Sequence, residues 1–306
     1  MMDFPFSGCG TALITPFDTA GEVDEAALRR FLRWQIAEGV DFLVPGGTTG
    51  ETATLDRHEH LRIVALAVEE ARRAERMVPV LAGAGGNNTR ATVALAREVS
   101  ALGVDGILSA APYYNKPAQE GLYQHFAAIA AAISVPLVLY NVPGRTASNI
   151  EPTTVARLAA LGNVAGIKEA SGNLNQIMTV LATAPRRFAV LSGDDALALA
   201  IVALGGRGVI SVASNEIPAA MTELMRLARS GDLAAARREH FRYLPLMEAN
   251  FLDSNPIPVK AALAAMGHCQ EVYRLPLTPL RGARREQFFA VLTSLGLAGP
   301  VPDAAS

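Results

Sequence analysis

Lysine is nearly missing from this sequence of 306 residues: Lys116, Lys168 and Lys260 stand against 24 arginines. Positive surface charge is therefore supplied by arginine, and each lysine needs its own explanation. Cysteine is as scarce. Cys9 and Cys269 lie far apart, without metal-site spacing, so free thiols in a reducing compartment are expected. Net charge is −2 with no basic run, which excludes the electrostatic footprint of a nucleic-acid or anionic-membrane binder. No uninterrupted apolar run reaches the roughly 20 residues a membrane helix needs. The opening MMDFPFSGCG lacks the basic start and apolar centre of a secretory signal. What is present is core: half the residues are hydrophobic and only 18% are charged. A globular, cytoplasmic protein is expected.

Short apolar runs alternate with amphipathic stretches along most of the chain. Strands are predicted at 11–14, 42–44, 78–82, 106–110, 137–141, 165–168, 188–192 and 208–212. Helical patterns fall between them at 24–38, 58–76, 89–102, 118–133, 152–161, 174–184, 196–204 and 218–228. Asn88 or Thr89 is a candidate N-cap, and Gly103 a C-terminal stop. Gly39-Val40-Asp41 and Gly103-Val104-Asp105 form a faint repeat, each preceding a strand. Eight strand–helix alternations predict an α/β fold, a (β/α)8 TIM barrel over 1–230. A doubly wound open sheet is the alternative that periodicity does not separate from it. Beyond Ser230 only helices are predicted, at 233–251, 258–266 and 284–295, with breaks at Pro256/Pro258 and 276–279. That makes 231–306 a C-terminal helical domain, with 299–306 expected to fray.

Lys168 lies in the apolar strand Val164-Ala165-Gly166-Ile167-Lys168, where an ammonium would lose its hydration. Burial favours the neutral, nucleophilic amine, so imine formation with a carbonyl substrate is one reading. The other is a strand-end lysine paired with Glu169. In a barrel the segments after each strand gather at the carboxyl face. Here they are 46–51 (GGTTGE), 111–115 (APYYN), 140–145 (YNVPGR) and 192–195 (SGDD). Hydroxyls, phenols and an arginine thus converge near Lys168. Making and dehydrating a carbinolamine needs proton transfer to and from oxygen, which a Tyr or Thr relay can supply. A glycine-rich turn and an arginine suit a carboxylate-bearing substrate. The set fits an imine-forming lyase acting on a 2-oxo acid.

Seven segments in order, GGTTGE at 46–51, APYYNKP at 111–117, YNVPGRT at 140–146, GIKEASGN at 166–173, SGDD at 192–195, GVISV at 208–212 and NPIPVK at 255–260, resemble the 4-hydroxy-tetrahydrodipicolinate (dihydrodipicolinate) synthase branch of the N-acetylneuraminate lyase superfamily. The resemblance spans nearly the whole chain. It implies a (β/α)8 barrel with a helical C-terminal domain, a homotetramer built as a dimer of dimers, and condensation of pyruvate with L-aspartate 4-semialdehyde in lysine and diaminopimelate biosynthesis. It implies that Lys168 forms the imine and that Tyr140 moves protons there, relayed through Thr48 to Tyr114, which completes a neighbouring subunit's site. Thr49 with Thr48 would hold the pyruvate carboxylate, Arg145 the carboxylate of the semialdehyde, and Gly193 and Ile210 would line the site through their backbone. No metal or cofactor is implied.

Within the superfamily, aldolases that release pyruvate from sialic acid, 2-keto-3-deoxy sugar acids or 4-hydroxy-2-oxoglutarate share Lys168, Tyr140 and the glycine turn. Thr48-Thr49, Tyr113-Tyr114 and Arg145 favour the synthase. A non-catalytic 2-oxo acid binder is a further alternative, though one with no use for a nucleophile and a proton relay. In lysine-inhibited members the feedback site includes a glutamate and two histidines. Those positions here are Ala91, Arg57 and His60, with Asn87 and Tyr113 retained, so weak inhibition is expected. Other signals have ordinary readings. Lys116 and Lys260 read as structural or surface residues, and His58 and His60 as surface or cap residues. Asp194-Asp195 reads as a helix cap, and 83–86 (GAGG) lacks the spacing of a nucleotide loop.

Overall fold

A computed structural model describes residues 4–298. Eight parallel strands run in chain order around a barrel: β1 (Gly8–Ala12), β2 (Phe42–Val44), β3 (Leu81–Gly83), β4 (Gly106–Ala110), β5 (Leu137–Asn141), β6 (Val164–Glu169), β7 (Ala189–Ser192) and β8 (Gly208–Ser211). The hydrogen-bonded order β2-β1-β8-β7-β6-β5-β4-β3 leaves β2 and β3 as its ends, and these meet through a parallel bridge between Leu43 and Val80. The open-sheet alternative is thereby set aside. Each strand is apolar on both faces because one faces the barrel interior and the other the surrounding helices. Phe42, Leu108, Val138, Leu191 and Ile210 fill the interior. A larger layer, including Leu43, Ile107, Leu139 and Ile167, packs outward against the helices.

Strand edges shift from expectation where backbone donors are missing. The third strand begins at Leu81, because Pro79 has no N–H to give a ladder. The residues before it supply the Pro79 carbonyl to Leu43 N and the Val80 carbonyl to Asp105 N, each at 2.9 Å, and the Val80 bridge. The first strand begins at Gly8, earlier than predicted, pairing with Gly208. The Gly-Val-Asp repeat proves to be a built device. Both glycines hold left-handed backbone, φ +93 at Gly39 and +83 at Gly103. Both aspartates then accept the amide of an adjacent strand, Asp41 from Cys9 N at 2.7 Å and Asp105 from Val80 N at 2.8 Å. Asn88, not Thr89, caps its helix, accepting from Ala91 N.

After Gly231 the described chain is helical: Leu233–Ala249, Ile257–Ala265 and Gly282–Ser294. Pro258 sits in the first turn of the second helix, where no amide partner is lost, and so opens that helix instead of interrupting it. Leu246, Met247, Ala261 and Phe288 bury against the outer layer of β8 and its helix Pro218–Ser230. The predicted fraying at 299–306 lies outside the described residues. No described helix is long and apolar enough to cross a membrane.

Candidate active site

The register places Tyr140 beside Lys168 and Lys168 beside Leu191 across β5, β6 and β7. Strand alternation turns Lys168 into the barrel and Glu169 out of it. Lys168 is 6% exposed, and its Nζ lies 4.4 Å from the centre of the Tyr140 ring. Among the described residues that amine has no ion pair and no hydrogen bond. The pairing with Glu169 does not form. The Glu169 carboxylate instead accepts from Asn141 Nδ2 at 3.2 Å, Ser171 N at 2.8 Å and Gln176 Nε2 at 3.4 Å. Gly193 closes over the lysine stem: a methyl there would fall 2.8 Å from Lys168 Cε. Ile210 lies with Tyr140 and Leu191 in the apolar interior beneath.

The turn after β2 lies at the same, carboxyl end of the barrel. Gly46 takes a left-handed backbone, φ +68, with no room for a side chain because the His60 ring lies against it. Amides of Gly50 and Glu51 then close back on the carbonyls of Gly47 and Thr48, each at 3.1 Å. Thr48 is half-buried and Thr49 buried. The Thr49 hydroxyl oxygen accepts from Asn255 Nδ2 at 2.9 Å. Glu51, left-handed at φ +53, meets Lys260 Nζ at 2.6 Å, with neither side chain exposed. Burial pulls the Lys260 pKa down, and the Glu51 carboxylate opposes that pull. The two buried lysines are therefore unlike: Lys260 is committed to an acid, whereas Lys168 is not.

Tyr113, Tyr114 and Arg145 face outward. Tyr114 is 88% exposed in a left-handed backbone, φ +73, its amide reaching the Thr146 carbonyl at 3.3 Å. Arg145, in the short helix Pro143–Thr146 after β5, is exposed and makes no ion pair among the described residues. One chain thus brings Lys168, Tyr140, Gly193 and Ile210 together. No hydrogen bond joins Tyr140, Thr48 and Tyr114 within it.

Several readings need correction. His60 is buried, not on the surface: its Nε2 lies 2.8 Å from the Gly83 carbonyl and its Nδ1 3.0 Å from Thr52 Oγ1, and burial lowers its pKa. Only Asp194 caps its helix. Asp195 is buried and accepts the amides of Val212 and Ala213, fixing the end of β8. Asn255 received no role from sequence, because after Asp253-Ser254 it reads as one more polar loop residue. Among the described residues no group of three or more His, Cys, Asp or Glu is placed to hold a metal ion.

A closed parallel barrel with a buried, unpaired amine at its carboxyl end, against a phenol, and a hydroxyl-bearing turn at the same end, is the architecture of an imine-forming lyase. Residues 5–295 match the model of the dihydrodipicolinate synthetase family. The 4-hydroxy-tetrahydrodipicolinate synthase of Koribacter versatilis is 55% identical over 291 residues, covering 95% of this chain and 96% of that one. The crystal structure of dihydrodipicolinate synthase from Aquifex aeolicus aligns with TM-score 0.93 at 40% identity, over 96% of this chain and 99% of the other. The Thermotoga maritima structure gives 0.93 at 43%, over 96% and 100%. The chain belongs to the dihydrodipicolinate synthetase family.

Proposed function

We propose that Lys168 is the nucleophile of this lyase and that Tyr140, Thr48 and Tyr114 move its protons. The enzyme condenses pyruvate with L-aspartate 4-semialdehyde to give 4-hydroxy-tetrahydrodipicolinate. One observation carries the assignment of Lys168: its amine is buried and unpaired, while the other buried lysine is bound to Glu51. An amine without a carboxylate partner can give its lone pair to the C2 carbonyl of pyruvate. The resulting carbinolamine loses water, its oxygen protonated by a nearby acid, and the Tyr140 hydroxyl is the group at hand. The cationic imine then draws electrons from C3, whose proton leaves, and the enamine carbon attacks the aldehyde, whose oxygen takes up a proton; the semialdehyde's own amino group then adds to C2, closing the ring and expelling the Lys168 amine.

Thr48 and Thr49 receive the pyruvate carboxylate, and Gly193 and Ile210 border it. Arg145, unpaired and exposed beyond β5, receives the semialdehyde carboxylate; its planar fork suits a two-point grip. Tyr114 works across a subunit contact. A tyrosine held outward in left-handed backbone without a partner in its own chain supports a homo-oligomer, a dimer of dimers in the tetrameric form. The barrel, 1–230, carries the chemistry, and 231–306 forms a helical domain. A cytoplasmic enzyme suits the two free thiols.

The test is a steady-state assay with pyruvate and aspartate semialdehyde, coupled to the downstream NADPH-dependent reductase. Arg145→Ala should raise KM for the semialdehyde by about 10–100-fold, the worth of a charge-assisted bond, with KM for pyruvate little changed. Turnover with a hydroxylated 2-oxo acid instead of the semialdehyde would refute the assignment.

Feedback by lysine should be weak. Arg57 is tied to Glu98 by two hydrogen bonds of 2.6 and 2.5 Å, and both His60 nitrogens are engaged. Ala91 offers no carboxylate to a lysine ammonium, and a guanidinium stands nearby. Activity in about 1 mM lysine should stay within a few per cent of the uninhibited rate. Half-inhibition below that concentration would count against it.

A further inference from the structure

The carboxylate-binding turn is held from outside the barrel, by residues more than 200 positions downstream. We propose that Asn255 is a positioning residue for pyruvate, acting through the Thr49 hydroxyl, with the Glu51–Lys260 pair anchoring the far end of the same turn. The inference rests on the reading that Thr49 meets the pyruvate carboxylate.

A threonine hydroxyl has one proton and two lone pairs, so on its own it rotates to suit any neighbour. Here Asn255 Nδ2 donates to Thr49 Oγ1 at 2.9 Å, and both residues are buried. With its oxygen already accepting, the hydroxyl is set to give its proton, which is what an incoming carboxylate requires. The donor bond also polarises the hydroxyl and strengthens what it then donates. Two residues further on, Glu51 is fixed in a left-handed backbone that a non-glycine residue adopts only under restraint. The restraint is visible: Lys260 Nζ on one carboxylate oxygen at 2.6 Å, and Arg274 N on the other at 3.3 Å. The lysine is itself seated 4.1 Å over the Phe17 ring. Asn255 and Lys260 flank the start of one helix, Ile257–Ala265, so that helix sets both ends of the turn together.

The experiment compares imine formation, trapped by borohydride, with pyruvate and with its uncharged methyl ester. Asn255→Ala should raise the half-saturating pyruvate concentration about tenfold, the effect of one hydrogen bond to a charged group. The ester should shift by less than about twofold. Asn255→Asp, similar in size but unable to donate when ionised, should be at least as impaired with pyruvate and serves if the alanine variant does not fold. Adding Asn255→Ala to Thr49→Val should change nothing further, because the two act as one unit. Equal losses with pyruvate and ester, or losses that add to Thr49→Val, would overturn the proposal and leave Asn255 a packing residue. An impaired Thr49→Val beside an unimpaired Asn255→Ala would overturn it while sparing the role of the turn. An unimpaired Thr49→Val would remove the reading of the turn and the proposal with it.

Discussion

Lys168→Ala should abolish condensation, with kcat/KM falling by at least about 10⁴-fold, equivalent to about 5.5 kcal/mol of transition-state stabilisation. The loss is this large because no second group can take over the covalent step. In the proposed assignment the neighbouring phenols and hydroxyls only move protons, and the other buried amine is held by Glu51 at 2.6 Å. Arginine at 168 should fail equally, since a guanidinium stays protonated and cannot attack a carbonyl. Folding should survive the change. The Lys168 amine has no partner to leave unsatisfied, so thermal midpoints should move by only a few degrees. Intact-mass analysis after pyruvate and borohydride checks the assignment. The parent chain should gain one reduced pyruvate, and Lys168→Ala none. Mass gain that persists in the variant, mapped to Lys260 or Lys116, would sink it.

Lys260→Met should act chiefly on stability, with any loss of pyruvate binding following from the loosened turn. It leaves the Glu51 carboxylate in a site with no solvent exposure and no cation, which costs about 3–5 kcal/mol. For a chain of this size that corresponds to a fall of about 5–15 °C in thermal midpoint. The sign follows from asymmetry: the attraction between two buried charges roughly offsets their own desolvation, whereas one charge alone keeps the desolvation and loses the attraction. Glu51→Gln in the same chain should therefore recover at least half of the loss, because a neutral amide has far less hydration to lose. Calorimetry on the parent and both variants decides it. A Lys260→Met protein melting within about 2 °C of the parent would show that the pair carries no such weight.

The barrel was legible because parallel strands covered on both faces read as bare apolar runs, and six of the eight predicted runs match their strands to within a residue at each end. At β3 the pattern misled, since Val78 and Val80 are buried like strand residues but flank a proline that cannot join a ladder. Lys168 stood out by being the wrong residue in an apolar run. The polar supports around it did not. Glu169 and Asn141 look like any strand-end polar pair, and their mutual hydrogen bonds arise only when β5 and β6 lie side by side. His60 reads as a helix-surface histidine until the Gly46 turn brings the Gly83 carbonyl against it. Lys260 and Asn255 sat in a recognisable segment, yet periodicity describes neighbours along one element and carries nothing about a carboxylate 209 residues away.

That separation governs when the enzyme can come into being. A ribosome adds about 5–20 residues per second, so about 10–40 s elapse between synthesis of Glu51 and arrival of its lysine. During that interval the emerging chain carries a carboxylate that has nowhere dry to go, and β1 still lacks its partner β8. An incomplete nascent chain should accordingly stay open around its first two strands, available to chaperones and inert toward pyruvate. On the proposed role of the turn, competence should arrive late, with the helix that begins at Ile257.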